Sequence, residues 1–293
     1  MRQLGGIRRD QLLRLVVATV LVTLLLLVIG CATDVPQNTF DVKGDVADQQ
    51  RNVFNLALWP AIAILILVEG LLVFALFRFR RRKEGEIPKQ VHGNTKLELA
   101  WTILPAALIL VLGGLMVPVL LEVSRAPAPD SLRVNVTGFQ YFWRFEYPDF
   151  VNAEGEPLVI GDEPSEFPQS RGSMANFPEQ ERRLTEMHIP VDREIGVWLE
   201  ANDVLHSFWV PKLFGKLDAV PGRTSRMWFN ATEPGVYSGQ CAEFCGIGHA
   251  DMRFVVVVHE SEDDFMRWVE SELSRQAAAQ PRSSHNSLVF QGE

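Results

Sequence analysis

The chain has 293 residues, 47% of them apolar and only 22% charged, with three cysteines and a net charge of −8. It is longer than one domain usually needs and richer in apolar runs than a soluble protein, so membrane segments are expected. The acidity is concentrated: from residue 126 onward 14 Lys and Arg face 26 Asp and Glu, which excludes a nucleic-acid surface and suits a basic protein partner steered from a distance.

At the N-terminus three arginines in MRQLGGIRRD precede an apolar core from Leu15 to Ile29. Fifteen residues are short for a span, so residues 1–30 are expected to be a secretory signal. Val28-Ile29-Gly30-Cys31 looks like a bacterial lipobox, in which Cys31 becomes the lipidated N-terminus; an uncleaved signal anchor is the alternative. Residues 31–52 read as a polar linker. Leu56 to Phe77 is an apolar run of helical length, interrupted by Pro60, Glu69 and Gly70. The RFRRRK that follows places residues 78–95 on the cytoplasmic side. A second span from about Leu99 to Leu121 completes a two-helix hairpin over 53–122, with everything after it outside the cytoplasm. Glu69 and Glu98 are carboxylates in or at the spans, where an ionisable group usually faces protein or water.

From Leu132 the pattern changes to short strands: LRVNV, WRFEY, MHIPV, VWL, HSFWV, RMWF and FVVVV, with Gly and Pro turns between them. This predicts an antiparallel barrel or sandwich over 126–275. Asp149 to Arg183, rich in Glu, Pro and Ser, reads as a surface excursion. SEDDFMRWVESEL opens with a capping box and repeats apolar residues at Phe265, Trp268, Val269 and Leu273, which predicts a C-terminal helix with one buried face. Residues 276–293 read as a frayed tail.

The chemistry is concentrated in QCAEFCGIGHADMRF, which sets Cys241, Cys245, His249 and Met252 within twelve residues. Thiolate, imidazole and thioether donors together favour copper. One copper would need one Cys. Two bridging sulfurs can hold two coppers sharing an electron, each with its own His, and His206 in DVLHSFWVP is the best second imidazole. A Cys241–Cys245 disulfide leaves His249 and Met252 unexplained, and a Cys2His2 zinc site has no use for the Met.

C-x-E-x-C-x-x-x-H-x-x-M, with the upstream D-V-L-H-S and the intervening D-A-V-P-G-R of Asp218 to Arg223, resembles subunit II of haem-copper cytochrome c oxidases. The resemblance implies a two-helix transmembrane hairpin followed by an all-β cupredoxin-like Greek-key domain with a C-terminal helix, carrying the dinuclear copper centre called CuA. It implies Cys241 and Cys245 as bridging ligands, His206 and His249 as terminal ligands, Met252 as axial ligand and Glu243 through its main-chain oxygen. It further implies that the Glu243 side chain helps hold a magnesium ion shared with subunit I, with Asp218 and Arg223 in the same contact region. Trp101-Thr102-Ile103-Leu104-Pro105 is similar to the start of the family's second helix, which puts Glu98 at the mouth of a proton pathway into subunit I. Gly138 to Tyr147 resembles the aromatic segment over the copper, with Tyr141 where relatives carry Trp and Phe139 where they carry His, so Tyr141 is the expected point of electron uptake. Glu146, Asp149 and Asp203 match or adjoin positions where relatives dock basic cytochrome c.

The implied function is to accept electrons from cytochrome c, or from a small copper protein, and pass them to haem in subunit I, within a proton-pumping assembly that includes subunit III in a bacterial plasma membrane. No C-x-x-C-H motif is present and none of the six His lies in an apolar span, so oxygen chemistry belongs to another polypeptide. A quinol oxidase subunit II would have lost both cysteines. A nitrous-oxide-reducing enzyme would need a further large domain, and a copper-delivery protein would not need the WTxxP hairpin.

Overall fold

In the computed structural model the described residues are 35–80, 90, 93–161 and 184–279, with a few positions between 16 and 23. Cys31, and most of the expected signal around it, lies outside them, as do 162–183 and 280–293.

Two long helices come first. Helix α1, Asp45–Arg78, has 34 residues and α2, Thr95–Val123, has 29. At 1.5 Å per residue they are about 51 and 44 Å long, more than the roughly 30 Å of a hydrocarbon layer. Both are apolar enough to cross a membrane, and no residue of the most apolar 18-residue stretch of either is buried. The Asn94 side chain caps α2 by accepting from Leu97 N–H at 3.3 Å.

The expected linker is a strap rather than a free segment. Lys43 pairs with Glu233 at 2.7 Å and Lys212 with Asp41 at 2.6 Å, while Lys43 N–H donates to the Lys212 carbonyl. Helix α1 therefore starts at Asp45, inside the span read as linker, because Val46 and Ala47 are buried against the β-domain and Asp45 N–H is held by Asn230. The end of α2 is fastened separately. The Trp228 indole donates to the Glu122 carbonyl at 3.1 Å, Arg125 stacks 3.8 Å over the Trp228 ring, and Glu194 takes both Arg125, at 2.7 Å, and Ala128 N–H, at 2.6 Å.

The β-domain is a sandwich of two five-stranded sheets. Its strands are β1 Leu132–Phe139, β2 Phe142–Val151, β3 Pro157–Ile160, β4 Thr185–Pro190, β5 Ile195–Ala201, β6 His206–Trp209, β7 Leu217–Ala219, β8 Ser225–Phe229, β9 Gly235–Cys241 and β10 Arg253–His259. One sheet runs β3-β2-β1-β5-β8, the other β4-β10-β9-β6-β7. This is the expected cupredoxin-like fold, with one difference: β1 with β5 and β4 with β10 pair parallel, so the sheets are mixed. Parallel neighbours need a long crossover, which the chain between them supplies. The expected excursion is also partly ordered into the end of β2 and into β3.

Alternation fills the core. Phe142, Trp143 and Phe145 are buried, and Phe208 stacks on Phe254 at 4.6 Å between the sheets. Helix α3, Glu262–Ala279, closes one side, burying Phe265 and Val269, and Ser261 Oγ caps it by accepting from Asp264 N–H. It runs past Gln276, where a frayed tail was expected, because the Gln276 amide donates to the Val159 carbonyl at 2.6 Å.

Candidate metal centre

Four elements meet at one end of the sandwich: the end of β1 and its turn to β2, the start of β6, the end of β9, and the loop from Ala242 to Met252. The Cys241 and Cys245 sulfurs lie 3.8 Å apart. That is well beyond a disulfide bond of about 2.05 Å, yet close enough for both to reach one ion at about 2.3 Å. Each sulfur has its own imidazole: His206 Nδ1 is 3.8 Å from Cys241, and His249 Nδ1 is 3.6 Å from Cys245. Met252 Sδ is 3.8 Å from the Cys245 sulfur, and the Glu243 carbonyl is 3.3 Å from that of Cys241. Among the described residues, His206, Cys241 and Cys245 form the one group of three or more His, Cys, Asp and Glu ligands within 4.8 Å of one another.

Burial sets the electrostatics. His206 and Met252 are fully buried, and Cys241 and Cys245 are 3% and 4% exposed. The Cys245 sulfur, hydrogen-bonded to Cys241, outweighs the penalty of burial and, with His206, holds the Cys241 thiol well below the usual thiol range. The same contact and burial hold Cys245 well above the usual thiol range. Burial opposes charge on His206, but the Cys241 sulfur and the Asp203 carboxylate outweigh it and raise its pKa.

Asp203 has a task that its expected docking role did not include. Its Oδ1 accepts from His206 Nε2 at 2.8 Å and from Val204 N–H, and its Oδ2 accepts from Gln140 N–H at 2.7 Å. The Nε2 proton is thereby fixed, and the Nδ1 lone pair is turned toward the sulfurs. An Asp three residues before His206 was the only sequence signal for this. Gln140, passed over in the sequence, donates its side-chain amide to the Cys245 carbonyl at 2.6 Å.

Of the remaining expected site residues, Tyr141 and Glu243 lie at the loop and the others away from it. Tyr141 is half-buried with its ring across the loop glycines: a Cβ on Gly248 would meet the ring at 2.5 Å, so no larger residue fits beneath it. The Glu243 side chain is exposed, and Asp218 lies on β7 opposite Ser207. Glu146 accepts from the Asn135 amide at 2.9 Å on the outer face of the first sheet. Counting along β2 from its end nearest the cysteines, Glu146 and Asp149 lie roughly 14 and 24 Å away. Glu98 is exposed at the start of α2, where its carboxylate accepts from Asn94 N–H at 3.1 Å.

Comparison with known proteins gives concordant matches. The family model for the periplasmic domain of cytochrome c oxidase subunit II matches residues 132–259, and that for its transmembrane domain matches 32–118. Cytochrome c oxidase subunit 2 of Cereibacter sphaeroides is 36% identical over 223 residues, covering 71% of each chain. That of Alkalihalophilus pseudofirmus is 35% identical over 256 residues, covering 84% of this chain but 65% of the relative, just under two thirds of its length. Among solved structures, the periplasmic domain of subunit II of cytochrome oxidase of Bradyrhizobium japonicum is 31% identical with a TM-score of 0.40, covering 52% of this chain and 99% of that one. With family models over both the helical and the β part, and relatives above 30% identity along most of its length, the chain belongs to the cytochrome c oxidase subunit II family.

Proposed function

We propose that this chain is the electron-accepting subunit of a terminal respiratory oxidase, holding a dinuclear copper centre on Cys241, Cys245, His206, His249, Met252 and the Glu243 carbonyl. The observation that carries this reading is the convergence of two sulfurs, each with its own imidazole, with His206, both cysteines and Met252 buried. The donor set fits copper better than zinc, because the Met252 thioether beside the thiols is a soft ligand. Bound there, a copper pair supplies one-electron exchange.

The chain's own residues do the rest. The Phe208, Trp143 and Phe254 packing behind the site keeps water out and holds His206 rigid. Rigid, water-poor surroundings leave little to rearrange when charge changes. Tyr141, lying over the loop, is where electrons arrive from cytochrome c or a small copper protein, and the acidic surface, with Glu146 and Asp149, steers a basic donor. Electrons leave for haem in subunit I, where oxygen reduction is coupled to proton pumping, in an assembly that includes subunit III.

Glu243 contributes its exposed side chain to a magnesium ion at the subunit I contact, and Glu98 stands at the opening of a proton pathway. The two helices anchor the chain in a bacterial plasma membrane with the copper domain outside the cytoplasm, aided by lipid on Cys31. The purified full chain loaded with copper is expected to hold two copper ions, with electron-spin hyperfine coupling to both nuclei. One ion per chain, or preferential uptake of zinc, would overturn the reading.

A further inference from the structure

The copper loop and His206 come from separate parts of the chain, and Gln140 reaches both, the loop directly and His206 through Asp203. Its side-chain amide donates to the Cys245 carbonyl at 2.6 Å, and its backbone N–H donates at 2.7 Å to Asp203, whose other oxygen holds His206 at 2.8 Å. The stretch 243–248 has no regular structure beyond turns, and Gly246 has a φ of 131°. The Gln140 amide reaches this stretch from outside the loop 241–252. His249 N–H and Asp251 N–H are satisfied within the loop itself, by the Gly246 and Gly248 carbonyls.

We propose that Gln140 is a positioning residue that cross-links the two halves of the metal centre, holding the Cys245 arm against the His206 arm and setting Tyr141 over the loop. This rests on the copper reading above. The amide acts through the Cys245 main chain and touches no donor atom, so its effect is on how firmly the ligand set is held. Tyr141 follows Gln140 directly, and its ring covers the loop glycines, so the same anchor fixes the path by which electrons arrive.

The test uses the full chain in detergent, loaded with copper, as wild type and as Gln140→Ala and Gln140→Glu. Folding is checked by circular dichroism, and copper per chain is measured first. Glu has nearly the shape of Gln but cannot donate, and it sets a carboxylate oxygen against the Cys245 carbonyl. A positioning role predicts that copper loss to a chelator quickens about fivefold in the Ala variant, the factor carried by one net hydrogen bond, and at least as much in the Glu variant, with altered copper hyperfine splitting in both. A space-filling role predicts that Glu behaves as wild type and only Ala fails, which would overturn the proposal. Two variants indistinguishable from wild type would overturn it as well. If Gln140→Ala does not fold, the Glu variant decides alone. Wild type without two copper ions would instead bring down the copper reading, and this inference with it.

Discussion

The His188–His259 pair sets how the β-domain responds to acid. His188 Nε2–H donates to Glu186 at 3.1 Å, which leaves Nδ1 bare to accept from His259 Nε2–H at 3.0 Å. The His188 ring stacks on Trp268 of α3 at 4.0 Å, and the Tyr147 hydroxyl is bonded to the His188 main chain. Burial first, then the His259 ring and the Arg275 charge, push His188 down to about 3, and burial also lowers His259. A base with a depressed folded pKa stabilises fully above its unfolded value near 6.5 and progressively less as pH falls below it. Between pH 6.5 and 4.5 His188 alone therefore removes about 2 kcal/mol, because the loss approaches about 1.4 kcal/mol per pH unit only once the unfolded imidazole is mostly protonated. The perturbation is His188→Phe, which keeps a ring against Trp268 and cannot ionise. Urea unfolding of the full chain in detergent, for wild type and variant at pH 7.5, 6.5, 5.5 and 4.5, isolates the difference, because the carboxylates are common to both proteins. Between pH 6.5 and 4.5 the wild type is expected to lose about 2 kcal/mol more than the variant. Equal losses would refute the assignment.

Other outcomes follow from the site. Tyr141→Ala is expected to slow electron uptake from the donor in stopped-flow measurements while copper per chain stays at two; unchanged uptake would move electron arrival elsewhere. Gly138→Ala would set a Cβ 2.9 Å from His206 Cδ2 and 3.2 Å from Trp143. Overpacking of this kind costs about 1–3 kcal/mol, so denaturant unfolding should show a loss in that range together with reduced copper content. Glu98→Gln keeps an acceptor for Asn94 N–H, so α2 should persist while proton uptake by the assembled oxidase falls. Uptake at the wild-type rate would leave the helix cap as the whole role of Glu98.

What the sequence determined by itself is what short-range pattern encodes. Two apolar stretches of spanning length, a run of alternating strands and four metal donors within twelve residues are local features, and the copper loop is legible because its Cys, His and Met are near neighbours in the chain. His206 was reachable through its D-V-L-H-S context. Pairing direction was not legible, because the two-residue alternation of a strand is the same whether its neighbour runs parallel or antiparallel; only the packing of two sheets set β1 beside β5 and β4 beside β10. Nor were the supports of the site. Gln140 meets Cys245 across 105 positions, and Lys43 meets Glu233 across 190. Asp203 reads as a surface carboxylate until the fold brings His206 and Gln140 to its two oxygens. A hydrogen bond needs donor and acceptor within about 3 Å, and at such separations the distance is set by the tertiary structure, not by the residues' own preferences.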